Sequence, residues 1–152
     1  MLNSDFKLKV HQACGKVVLE KRKLLSQQLD SARLSANSET KSSAGDKHET
    51  GRALAQLEQE NLAKQFGFLE RLESDLSQLK SDLISEKVEK GALVKTDKMT
   101  LYFGVALGEI KVENNAVFAI STASPIGKIA LGKTIGESFV VNGNNHIINQ
   151  IA

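Results

Sequence analysis

The sequence predicts a two-part protein of α and α+β class. An N-terminal antiparallel α-helical coiled-coil hairpin over residues 1–90 is followed by a small α+β domain over residues 91–152. The first 90 residues contain no proline and only four glycines, so the strongest helix breaker is absent there. From Gly91 onward glycines cluster, and β-branched and aromatic residues alternate with polar ones, which is typical of short strands and turns.

Composition limits the classes of function. Of the 152 residues, 41% are hydrophobic and 25% are charged, which are ordinary values for a folded globular chain. No apolar run approaches the roughly 18 residues that cross a bilayer. The first residues also lack the apolar segment of a signal peptide, so we expect a cytoplasmic protein without a membrane partner. The net charge of +2 is too small to indicate bulk nucleic-acid binding by itself.

The chain offers few residues for disulfides or soft metal ligands. Its single cysteine, Cys14, excludes an internal disulfide and a cysteine-based zinc cluster. Because Cys14 lies in a helical pattern, we expect a buried small side chain rather than a reactive thiol. His11, His48 and His146 lie far apart without metal-ligand spacing, so each is expected to be structural or solvated.

The hairpin is predicted from two apolar patterns and their charges. Residues 5–36 carry a loose apolar stripe and seven Lys or Arg against three acids, whereas residues 53–90 carry five against eight. Opposite charge favours pairing of the two segments, although two solvated faces with accidental asymmetry would look the same. The second segment has the a/d spacing of a coiled coil, in leucine series that repeat every seven residues: Leu62, Leu69, Leu76, Leu83, and Leu72, Leu79.

Polar residues at 37–50 predict the tip of the hairpin. Asp46 and Glu49 have the N-cap and N3 spacing of a capping arrangement at the start of the second helix. The same spacing places two carboxylates on one helix face, where they would supply part of the coordination shell of a magnesium ion. From these residues alone capping is the simpler interpretation. A long hairpin suits insertion into a larger partner or dimerisation through its seam, and its form does not separate the two.

The second half predicts strands and one short helix. Ser124-Pro125 opens a helix over residues 126–131, because proline is well placed at the first helical position, and Gly132 is its expected C-cap. Asparagine-rich segments at 113–116 and 142–145 indicate hairpin turns. The expected strands are Ala92–Thr96, Leu101–Leu107, Glu109–Val112, Val117–Ile120, Ser138–Val141 and His146–Ile151.

Two motifs resemble those of one known family. Residues 44–49, Ala-Gly-Asp-Lys-His-Glu, contain an Asp and a Glu separated by two residues at the start of the second helix. Residues 124–137, Ser-Pro-Ile-Gly-Lys-Ile-Ala-Leu-Gly-Lys-Thr-Ile-Gly-Glu, open a short helix with Ser-Pro and end it in Leu-Gly-Lys. With the order of parts, these motifs resemble the Gre family of bacterial transcript-cleavage elongation factors.

The resemblance implies an FKBP-like C-terminal domain that binds RNA polymerase and a hairpin that enters its secondary channel. Asp46 and Glu49 would then be the catalytic, metal-assisting pair that helps to position magnesium shared with the polymerase active site, so that backtracked RNA is cleaved. The factor itself would be a monomer, would hold no cofactor stably and would contact nascent RNA and DNA within the elongation complex. The implied polymerase-binding residues are Ser124, Pro125, Ile126, Gly127, Leu131 and Gly132.

The tip departs from the family pattern after the acidic pair. The family usually continues Asn-Ala-Glu-Tyr, whereas Thr-Gly-Arg-Ala stands at residues 50–53. Arg52 in place of an acid favours an alternative, a channel-binding regulator or inhibitor that does not stimulate cleavage. The protein is not expected to be an enzyme on its own. Prolyl isomerase activity needs an aromatic-lined pocket, and the second half has only four aromatic residues for its pocket and its core.

Overall fold

The computed structural model describes residues 2–41 and 45–152, with side chains for residues 2–34 and 49–152. It consists of two long helices followed by a mixed six-stranded sheet, as the two-part prediction expects. Contacts group the chain into a helical unit, Val18–Arg71, and a sheet unit, Met1–Val17 with Leu72–Ala152. The division at residues 90 and 91, drawn from composition, stays a prediction. Within the described residues, no helix has the length and apolarity needed to span a bilayer.

The two long helices are α1, Ser4–Lys41, and α2, Gly45–Ser77. In the sheet unit, a Cβ atom at Gly15 of α1 would lie 4.0 Å from Cδ2 of Leu76, near the end of α2. Only three residues separate the helices at their other ends, so they run antiparallel. In the helical unit the buried apolar side chains of each helix recur every seven residues, as a coiled-coil seam requires: Val18, Leu25 and Ala32 on α1, and Leu62 and Leu69 on α2.

The structure corrects the predicted extent of both helices. α1 runs to Lys41 rather than ending near residue 36, and α2 ends at Ser77, so the leucine series continues beyond the helix. Leu79 is buried because it packs against Gly104, where an added Cβ would lie 3.2 Å from Leu79 Cδ1. The side chain of Leu83 is 54% exposed. The seven-residue spacing shows where apolar residues recur in the sequence, but it does not show where the helix ends.

The sheet follows the order β3-β4-β2-β1-β6-β5. Its pairings are antiparallel except that of β2 with β4, which is parallel. A short helix, α3, Pro125–Ala130, lies between β4 and β5 in the chain. The strands are β1 Leu93–Thr96, β2 Thr100–Phe103, β3 Gly108–Val112, β4 Asn115–Ile120, β5 Ser138–Val141 and β6 Asn144–Ile151.

Turn residues explain where these strands end. Glu113 and Asn114 have φ of 50° and 67°, and Asn142 and Gly143 have φ of 50° and 78°, so both predicted hairpins turn through two residues with positive φ. The expected strand Leu101–Leu107 stops at Phe103 instead, because Gly104 turns the chain with φ of 125°. The core of the sheet unit is apolar and comprises Val88, Ala92, Val94, Leu101, Phe103, Ala130, Phe139 and Ile148.

Candidate functional site

The predicted acidic pair lies at the start of α2. The helix begins at Gly45, so Asp46 occupies the first turn rather than the N-cap position expected from sequence. Glu49 lies three residues later and is exposed. Residues three apart in a helix are neighbours on one face, and carboxylates are favoured near a helix N-terminus. The side chain of Asp46 lies outside the described residues.

A positive charge follows the pair on the same helix. Arg52 is exposed and lies three residues after Glu49, so the two share a helix face. Among the residues whose side chains are described, no group of three or more His, Cys, Asp or Glu could hold a metal ion. Two carboxylates supply at most part of the octahedral shell of magnesium, and the other ligands would have to come from water or a partner.

The Ser-Pro motif forms the helix start predicted for it. Ser124 is the N-cap of α3: its Oγ accepts a hydrogen bond from the Gly127 N–H at 3.0 Å and donates one to the Ser121 carbonyl at 2.6 Å. Pro125 stands at the first helical position, where no intrahelical N–H is needed. Side chain and backbone together therefore fix the direction in which α3 begins.

Two glycines determine the backbone conformation in the rest of the motif. Gly127 is buried, and a Cβ atom there would lie 2.7 Å from Cα of Thr122, so only glycine fits without backbone movement. The C-cap is Leu131 rather than the predicted Gly132, which follows it with φ of 83°. The Gly132 N–H donates to the Val88 carbonyl at 2.8 Å. The end of α3 is thus bonded to the segment that precedes β1.

The structure separates core from surface within this motif. Ile126 is partly buried and packs against the core. Ile129 and Leu131 are 46% and 52% exposed, and Ile135, a few residues later, is 60% exposed. Of the apolar residues implied to bind polymerase, Ile126 therefore belongs to the core and Leu131 to the surface. Leu131 and Ile129 can contact a partner without disturbing the packing beneath them.

A cluster around His11 in the sheet unit was missed from sequence. His11 Nδ1 lies 2.8 Å from Tyr102 Oη, and the two rings meet edge to face with centroids 6.1 Å apart. Burial raises the pKa of Cys14 to about 12, which keeps this thiol protonated and unreactive. Lys7 is 1% exposed and donates from Nζ to the Leu83 carbonyl at 2.5 Å. Lys7, Val10, His11 and Cys14 have the spacing of one helix face, which is the signal that could have indicated them.

The two predicted sites belong to different units of the chain. Asp46 and Glu49 lie in the helical unit, and residues 124–132 lie in the sheet unit. The structure brings residues 124–132 together around α3. It places Asp46 and Glu49 in one helix, α2. Comparison with protein-family models and with curated protein sequences finds no match to this chain. The candidate sites therefore rest on residue chemistry and local geometry.

Proposed function

We propose that this protein is a transcription elongation factor that binds RNA polymerase. In this proposal the α1–α2 hairpin enters the secondary channel, and Asp46 with Glu49 assists magnesium-dependent cleavage of backtracked RNA. The observation that carries the proposal is the acidic pair at the start of α2, on a two-helix hairpin joined by only three residues. Two carboxylates three residues apart on one helix face suit a hard cation whose other ligands a partner provides.

We infer that the sheet unit is an FKBP-like docking domain. The support is a mixed sheet of six strands with one short helix between β4 and β5. Tyr102, Phe103 and Phe139 are buried in it, at 0%, 0% and 3% exposure, so these aromatic rings serve packing. Exposed Ile129 on α3 and Leu131 at its C-cap give the docking surface its apolar part, and the Ser124 cap and Gly127 fix the helix that presents them.

The test is transcript cleavage on a stalled, backtracked elongation complex of bacterial RNA polymerase. Adding the protein should release short 3′ RNA fragments in a magnesium-dependent reaction. The double variant Asp46→Asn with Glu49→Gln should lose this effect and still bind polymerase. The matched control, Glu20→Gln with Asp30→Asn, removes the same charge from α1 and should cleave normally. Unchanged cleavage in the acidic-pair variant would show that Asp46 and Glu49 do not have the proposed role.

Docking is tested separately from chemistry. Leu131→Arg places a charge at the exposed C-cap of α3 and should weaken polymerase binding. Val140→Arg, at a 56% exposed position on β5, is the matched control. The sheet unit should remain folded in both variants, because neither side chain belongs to the core. If the two variants bind polymerase equally well, the docking surface does not lie at α3.

A second function, channel binding without cleavage, is favoured by one observation. Arg52 shares a helix face with Glu49, and a guanidinium there competes with a metal ion for the carboxylate. This regulator would bind polymerase and slow initiation or elongation without releasing RNA fragments. Arg52→Ala would then produce cleavage that the natural chain lacks. If the natural chain already cleaves and Arg52→Ala changes nothing, this second function is excluded.

A further inference from the structure

Helix α2 carries a second seam in addition to the one that is buried. Its members are spaced alternately by three and four residues, as the a and d positions of a coiled coil are. All of them are exposed, and all lie within the helical unit. We call this set the outer seam; it comprises Leu54, Leu57, Asn61, Lys64, Phe68 and Arg71.

The outer seam faces a different direction from the buried seam. At about 100° per residue, its mean direction is roughly 120° around the helix from that of Leu62 and Leu69. Leu54, Leu57 and Phe68 are 62%, 63% and 65% exposed, an unusual arrangement for large apolar side chains that share one face. A shallow groove of about 460 Å³ runs along the N-terminal half of the seam. A helix with two such seams is suited to a bundle of more than two helices.

The charges beside the outer seam run in a definite order. Glu58 and Glu60 flank its N-terminal half, and Lys64 and Arg71 lie in its C-terminal half. A second copy of the helix turned end for end brings the acidic half of each copy against the basic half of the other. A parallel copy brings like charge against like. The charges are therefore more complementary in the antiparallel arrangement than in the parallel one, which fits a twofold interface.

We propose that the outer seam is a self-association surface, on which a second copy of this chain packs antiparallel through α2. In coiled-coil register Leu57 then meets Phe68 of the second copy, and Asn61 meets Lys64 of the second copy near the twofold axis. A polar layer of this kind weakens a coiled coil and selects one register. The association is therefore weak, and the monomer expected from the family resemblance corresponds to dilute protein. The proposal does not depend on polymerase binding.

The first test is sedimentation equilibrium of the full chain from about 10 µM to about 1 mM, the range in which small interfaces associate. The average mass should rise from 16.5 kDa toward that of a dimer. Leu57→Arg should raise the dimer dissociation constant at least about tenfold, because the contact is lost twice in a symmetric pair. Leu34→Arg, at a 69% exposed leucine of α1, is the control and should associate normally. A monomer throughout, or equal effects of the two variants, overturns the proposal.

Charge reversal tests the pairing partners. Lys64→Glu alone and Glu58→Lys with Glu60→Lys alone should each remain monomeric, whereas an equimolar mixture of the two variants should form a heterodimer. A mixture that stays monomeric, while the natural chain associates, contradicts the proposed charge contacts.

Cross-linking tests the orientation. In the antiparallel pair, position 61 lies near the twofold axis, within about 5 Å along the helix axis of position 61 in the second copy. Asn61→Cys should therefore form a disulfide dimer under mild oxidation. Leu54→Cys lies about 25 Å from its copy in the antiparallel pair and should not. Cys14 is buried and should stay reduced in both variants. Circular dichroism checks that the fold is kept, and mass analysis of the cross-linked peptide identifies the bonded cysteine. Efficient cross-linking at position 54 indicates a parallel pair and overturns the proposed orientation.

Discussion

His11 and Tyr102 are joined across the sheet unit by a contact of 2.8 Å between Nδ1 and Oη, although 91 residues separate them in the chain. The contact links α1 to β2. Tyr102 is fully buried and His11 is half-buried, so the Tyr102 hydroxyl depends on His11 for its hydrogen bond. This pair gives the first two predictions.

Tyr102→Phe should lower the free energy of unfolding by about 0.5–1.5 kcal/mol, because the ring is kept and the hydrogen bond is lost. Urea unfolding followed by circular dichroism measures this loss. His11→Leu combined with Tyr102→Phe should cost less than the sum of the single variants, since the unpaired nitrogen is removed as well. Strict additivity would show that the two side chains do not interact in solution.

Stability should depend on pH through His11. Burial lowers the pKa of His11 from its ordinary 6.5, so below pH 6.5 the unfolded chain takes up a proton that the folded chain does not. The contribution of His11 is therefore present above pH 6.5 and is lost as the pH falls toward its folded-state pKa, at no more than about 1.4 kcal/mol per pH unit. The free energy of unfolding of His11→Asn, measured between pH 8 and pH 5, should lack this component. Parallel pH profiles for the two proteins would exclude it.

Two glycine-to-alanine changes should have opposite signs. Gly127→Ala should destabilise the sheet unit by about 1–3 kcal/mol or more, because the new Cβ meets backbone at Thr122 that has no room to move. Gly67→Ala should stabilise the chain by about 0.5–1 kcal/mol, because Gly67 lies inside α2 with nothing within 4 Å of the added Cβ. Thermal unfolding of both variants checks the pair, and a stable Gly127→Ala protein would contradict the packing of α3.

Substitutions in the two seams of α2 should differ in their effect on the stability of the protein. Leu69→Ala, at a 2% exposed position, should cost about 2–5 kcal/mol through lost burial and the cavity left behind. Leu57→Ala, at a 63% exposed position on the same helix, should change the stability of dilute monomer by less than about 0.5 kcal/mol. Chemical denaturation at low protein concentration compares them. Equal losses would mean that Leu57 is covered even in the monomer.

Local features of the fold were predictable because their causes are local. The cap at Ser124, the proline after it and the two-residue turns at 113–114 and 142–143 follow from backbone and side-chain chemistry within a few residues. The acidic pair was also found from spacing alone, although the start of α2 at Gly45 moves Asp46 from the cap into the first turn.

Features that join distant segments were not predictable. Leu79 and Leu83 continue a regular leucine series, yet the first is buried against Gly104 and the second is exposed, since the chain leaves the helix at Ser77. The contact of His11 with Tyr102 has no local signal either. A single sequence reports which residues are apolar and at what period, whereas the partner of each depends on how the strands and helices meet.

The amino-acid order alone determined that two long helices come first, that short strands follow and that an acidic pair stands between Gly45 and Thr50, because helix period, turn residues and charge are properties of neighbouring positions. The tertiary structure decided the end of α2, the parallel pairing of β2 with β4 and which apolar residues of α3 face the core. It also left the outer seam of α2 exposed within the described chain. Burial depends on surfaces contributed by residues far away in sequence, and only the folded chain brings those surfaces together.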